Sequence, residues 1–154
     1  MPDVIQDAPA RTRNRPRVAA WSLRLVTAAA LAVDAFVHAD LAGRYDANHG
    51  TGPLSQGDLF RIEAAVSACV ALALLLTGRT LTWIAAWLVA TSAVGAMLWY
   101  RYRDPGAWGP LPDMYEPLWF REKVVAGVAE GIAVVTAALG LLEQWSRSAR
   151  SAHE

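Results

Sequence analysis

The stretch from Leu23 to Arg44, LRLVTAAALAVDAFVHADLAGR, constrains the fold of this chain more than any other. It is apolar enough to cross a bilayer yet carries Asp34, His38 and Asp40 where lipid would lie. Asp34 and His38 are four residues apart, so a helix sets them on one face, one turn from each other. Ionisable groups inside a membrane are expensive unless they face the interior of a bundle. The chain therefore needs further helices as walls, and three more apolar runs supply them.

Those runs predict spans over about 18–42, 59–77, 81–100 and 121–142. Together they form a membrane domain over 18–143, an all-α, up-down-up-down four-helix transmembrane bundle. Gly78 and Arg79 leave room only for a tight antiparallel turn between the second and third spans. The outer loops fall at 43–58 and 101–120. Residues 1–17, with Pro2, Pro9, Pro16 and Arg11, Arg13, Arg15 and Arg17, read as a disordered tail, and 144–154 as a polar one. Basic residues gathered before the first span place both termini in the cytoplasm of a bacterium, with Arg24 snorkelling to the headgroups. Thirteen arginines against a single lysine fit a GC-rich bacterial genome.

Composition narrows the functional classes. A formally neutral chain that is 55% hydrophobic carries no electrostatic footprint for nucleic acid. Neither tail nor loop can bury a core of its own, so any chemistry belongs to the bundle. Cys69 is the only cysteine, which excludes intrachain disulfides and CxxC chemistry, and its apolar surroundings read as a buried, inert thiol. The loop GRYDANHGTGPLSQGD lacks the twelfth-position Glu of a calcium loop. A haem held by two axial histidines fails because His38 is the only histidine within a span. No motif names a catalytic residue, a reaction or a cofactor, and nothing marks the chain as an enzyme.

The candidate site is a constellation. At a rise of about 1.5 Å per residue, Asp34 and Glu130 lie roughly 12 and 15 Å below the outer surface, and His38 and Glu63 roughly 6 Å below it. These matched depths come from three spans that share only the bundle interior. Arg61, Arg121 and Lys123 ring the mouth above. The aromatic loop with Trp108, Met114, Tyr115, Leu118, Trp119 and Phe120 forms either a cap over the bundle or an interfacial anchor.

Three readings stand open for this cluster. In the first it is structural glue: Asp34 pairs with His38, Glu63 meets Arg61 or Arg121, and Glu130 is protonated or bonds Thr27 or Ser92. In the second, the outer half of the bundle holds a small amphipathic molecule, a quinone or a lipid headgroup, against Asp34, His38, Glu63, Glu130, Arg61, Arg121 and Trp119. In the third, His38, Asp34, Glu63 and Glu130 bind a divalent metal ion such as zinc, manganese or iron. Separately, Gly127 and Gly131 flank Glu130 with GxxxG spacing, which suits docking of a membrane-protein partner or a second copy of the chain.

The runs LRLVTAAALAVDAFVHADLAGRYD, SQGDLFRIEA and YRYRDPGAWGPLPDMYEPLWFREK resemble a group of small four-span membrane proteins of actinobacteria. The four-span plan with Glu122 and Lys123 at the mouth of the last span is more distantly similar to the DoxX-like families. Some members of those families are associated with quinone or thiol redox systems. The resemblance implies the fold and adds to the quinone reading, and it transfers no catalytic residue.

Overall fold

The computed structural model describes residues 15–50 and 52–151. Four α-helices follow one another: α1 (Arg15–Ala42), α2 (Gln56–Thr77), α3 (Thr80–Tyr102) and α4 (Arg121–Ser151), with a 3-10 turn at Gly43–Tyr45. All four are long and apolar enough to cross a membrane. They close a ring in chain order, α1 bordering α2 and α4 and lying diagonally across from α3. This is the up-down-up-down bundle that the hydropathy pattern predicts. The expected disordered tail lies outside the described residues except for 15–17, which already belong to α1. The expected polar tail after 143 is helical as far as Ser151.

Small side chains set the packing. On α4 the buried stripe is Ala126, Ala129, Glu130, Ala133, Ala137 and Leu141, and α1 answers with Thr27, Leu31, Asp34, Ala35 and Leu41. Both stripes follow helical spacing, and alanines at the contacts let the backbones approach closely, as membrane interfaces favour. The outward faces carry large apolar residues instead: Phe36, Leu76 and Leu81 are each more than 70% exposed. A water-soluble bundle would bury such groups, whereas a bilayer solvates them. Cys69 lies on this outward surface, contrary to the expected buried thiol. Hydropathy is similar on both faces of α2, so nothing in the sequence sets which way that side chain turns.

At the end of the bundle carrying the short hairpin, α2 stops at Gly78, whose φ of 56° lies in the left-handed region and whose N–H bonds the Leu74 carbonyl at 3.0 Å. Arg24, expected to snorkel, donates through Nε and Nη2 to the carbonyls of Leu74 and Leu75 in the last turn of α2, where a cation also suits the helix dipole. Trp21 covers the same guanidinium at 4.5 Å. Gln144 donates to the Gly78 carbonyl at 3.0 Å, which ties the extended last turns of α4 to the hairpin. Gly140 lies against the buried Trp83 ring so closely that a Cβ there would collide with it.

The opposite end carries both long loops. Ser55 caps α2 by accepting from the Asp58 N–H at 3.0 Å, while Asp58 Oδ2 accepts from the Ser55 N–H at 3.0 Å. This reciprocal box starts the helix before the expected Leu59, with Asp58 in its first turn. The loops brace each other. Asn48 donates to the Asp113 carbonyl at 2.8 Å, and a Cβ on Gly52 would stand 2.7 Å from Pro110 Cα, so only glycine permits that approach. Pro112 is fully buried beneath them.

Candidate functional site

Three helices deliver polar groups to one level near the loop end. From α1 come Asp34 and His38, from α2 Glu63 and Ser67, and from α4 Glu130. Asp34 and Glu130 are each 1% exposed and Ser67 is fully buried. One ligand atom each from Asp34, His38 and Glu130 lies within 4.8 Å of the others, so His38, expected in the upper layer with Glu63, stands with the two carboxylates expected in the lower one.

The hydrogen bonds within it are unequal. Ser67 Oγ donates to Asp34 Oδ2 at 2.7 Å and stands 3.2 Å from Glu63 Oε1. A hydroxyl has one hydrogen, and the shorter contact takes it. His38 Nδ1 lies 3.1 Å from the Asp34 backbone carbonyl and 2.9 Å from Asp34 Oδ1. The carbonyl can only accept, so Nδ1 carries the hydrogen. Oδ1 gains the nearness of the ring without a directed bond of its own. Phe60 holds the imidazole edge-on, with ring centres 5.3 Å apart. Neither oxygen of Glu130 has a hydrogen-bond partner among the described residues. The hydroxyls expected to serve it are engaged elsewhere: Thr27 donates to Thr136 at 2.7 Å and Ser92 to the Val89 carbonyl at 2.9 Å.

Above the cluster opens a cavity of about 470 Å³. His38, Glu63 and Glu130 make its polar floor, and Phe60, Met97, Tyr100, Met114 and Phe120 are prominent in its apolar walls. Lys123, 8% exposed, lines the upper part and donates to the Glu116 carbonyl. The cavity exists because α2 and α3 pack against each other less than the other neighbouring pairs do. Ile62 and Ala96, which line the gap, are themselves exposed on the outer surface, so the opening faces sideways.

Other residues singled out from the sequence lie apart from this cavity. Arg61 turns outward and pairs with Asp46 through two contacts, at 2.6 and 2.7 Å. That guanidinium holds the Asp46 carboxyl below the usual carboxylate range. Glu63 therefore meets Ser67 rather than Arg61. Arg121 borders a separate shallow groove with Val33, Phe36 and Val125. Trp119 is 46% exposed and stands beside Arg101 and Lys123, 5.6 and 5.7 Å from its ring. Asp40 leaves the apolar layer and pairs with Arg44 at 3.0 Å. Of the aromatic loop, Met114 and Phe120 reach the cavity, whereas Trp108 and Leu118 are more than two-thirds exposed.

Ser67, Met97 and Tyr100 were not signalled as site residues. Ser67 was the most legible of the three, because it follows Glu63 by four residues and so shares its face. Comparison with protein-family models, curated proteins and solved structures gives no match for this chain.

Proposed function

We propose that this four-span membrane protein binds a small amphipathic molecule, a quinone or a lipid headgroup, in the loop-end half of its bundle. The observation that carries this reading is the pairing of an apolar, aromatic cavity with a floor bearing two unpartnered carboxylate oxygens on Glu130. A ligand with an apolar body and a hydroxyl or amine at one end would match both parts: its body replaces void by contact, and its donor meets Glu130. The volume suits a ring system or a headgroup with the first part of a chain, the rest leaving between α2 and α3. In this reading the protein is a binding module with no catalytic residue assigned. It resides in the bacterial cytoplasmic membrane, with the loop end outside and both termini inside.

Native mass spectrometry of protein extracted in mild detergent tests it. The wild type should retain an added mass in the range of an isoprenoid quinone or a phospholipid. Met97→Trp, which fills the cavity, should lose it. Glu130→Gln should weaken retention by about 10- to 100-fold, since a hydrogen bond to a charged group contributes about 1.5–3 kcal/mol. Equal retention by all three proteins would point to annular lipid and refute the site. Orientation is tested separately in a Cys69→Ala background: cysteines at Asn48 and Trp108 should react with an impermeant reagent from outside, and one at Ser148 should not.

Docking of a membrane partner through Gly127 and Gly131 draws less support. A Cβ on Gly127 would stand 3.1 Å from Met97 Sδ, so that glycine already serves the contact with the chain's own α3.

A further inference from the structure

We infer that Asp34, His38 and Glu130 together bind one divalent first-row transition-metal ion, of the zinc or manganese kind, at the base of the cavity. Three independent features of the cluster lead there. The first is proximity: a nitrogen and two carboxylate oxygens from α1 and α4 lie within 4.8 Å of one another, close enough for one ion to draw together. The second is satisfaction. Both oxygens of Glu130 are buried without a hydrogen-bond partner among the described residues, and Asp34 Oδ1 has only the His38 ring at 2.9 Å, on side chains that are each 1% exposed. An unmatched buried carboxylate is costly, and a cation is the partner that would satisfy two of them at once.

The third is the arrangement around the donors. Metal-binding histidines characteristically donate their other ring N–H to a carbonyl or carboxylate, which orients the ring. His38 does this through Nδ1 to the Asp34 carbonyl at 3.1 Å, leaving the Nε2 lone pair free. Ser67 plays the matching part for Asp34, holding Oδ2 at 2.7 Å, while Oδ1 has only the His38 ring beside it at 2.9 Å. Charge points the same way: Asp34, Glu63 and Glu130 gather around a single imidazole, and a divalent ion offsets two carboxylates. Calcium is the poorer fit, because it takes six to eight oxygens and no imidazole, whereas one nitrogen and two carboxylates with a position left open suit zinc or manganese. This inference stands without the amphipathic-ligand reading, although a bound ion would give such a ligand an additional anchor.

The test uses the full-length protein in detergent, stripped with a chelator and titrated with Zn²⁺ against a chromophoric competitor, and separately with Co²⁺ read by visible absorption. One equivalent should bind, and Zn²⁺ should raise the thermal unfolding temperature of the wild type. Asp34→Asn and Glu130→Gln should each weaken binding beyond the roughly 10–100-fold typical of losing an outer-shell partner, and Ser67→Ala should fall within that range. His38→Cys should bring a thiolate-to-cobalt charge-transfer band, a signature that a purely structural His38 would not produce. Met97→Trp should bind the ion as the wild type does while losing the cavity ligand, so the two proposals fail separately. Substoichiometric binding, no Zn²⁺-dependent rise in the wild type, or full affinity in Glu130→Gln would each overturn the metal site.

Discussion

The two halves of the bundle are built on opposite principles. Toward the hairpin, Trp83 fills the space over Gly140, alanines line the contacts, and Arg24 and Gln144 satisfy the carbonyls where α2 ends. Toward the loops, α2 and α3 part, a cavity of about 470 Å³ opens, and the carboxyl oxygens of Glu130 go unpartnered among the described residues. A protein selected only for stability would close that half with leucine. On the binding reading proposed above, stability falls to the hairpin half and the site to the loop half, a division expected when functional sites keep strain that the rest of the fold tolerates.

Four experiments sharpen or break the contrast, taken from the largest expected effect to the smallest. Trp83→Ala should destabilise the protein in detergent by about 3–5 kcal/mol, the usual range for emptying a packed aromatic site, read from reversible unfolding. If Met97→Ala costs as much, the halves are packed alike and the comparison fails. Glu130→Met should act in the opposite direction and raise stability by about 1–3 kcal/mol, since it removes a buried group without a partner. A loss of stability there would mean that Glu130 is structural glue. A double-mutant cycle on Asp34→Asn and Ser67→Ala should give a coupling of about 0.5–3 kcal/mol, whereas additive effects would mean that their contact does not form.

The smallest effect belongs to the surface pair. Because Arg61 depresses the Asp46 carboxyl, that carboxyl stays ionised below its ordinary value of 3.8. Its contribution to stability is complete above that value and fades as pH falls through the lower, folded one. Unfolding across acidic pH should show a slight excess slope in the wild type that Arg61→Gln removes. Since the pair is exposed, the matching loss at neutral pH should be slight.

Depth was legible in the sequence and azimuth was not. Hydropathy located four spans, and the fixed rise of a helix brought Asp34 and Glu130 near one level, and His38 and Glu63 near another, before any contact was known. Rotation about each axis is a different matter. In water an amphipathic stripe shows which face turns inward. Here lipid and core are both apolar, so the clean run of α2 left Cys69 and Ser67 undistinguished, one outward and one inward. Arg61 shows the same limit: it precedes Glu63 by two residues, and a helix turns that offset into roughly opposite faces. Arg24 was placed correctly near the hairpin end, but its partners lie on another helix, some fifty positions away in sequence.

The sideways opening between α2 and α3 bears on how a ligand would be counted. Leu111 and Met114 of the second loop line the cavity on one side, while the exposed Ile62 and Ala96 border it between α2 and α3. On the proposed reading, a molecule entering between α2 and α3 would first dissolve in the bilayer, and the protein would sense its mole fraction in lipid rather than its aqueous concentration. Two quinones with identical contacts inside the cavity would then show different apparent affinities in proportion to their partition coefficients, and the apparent affinity of each would fall as more lipid or detergent diluted it.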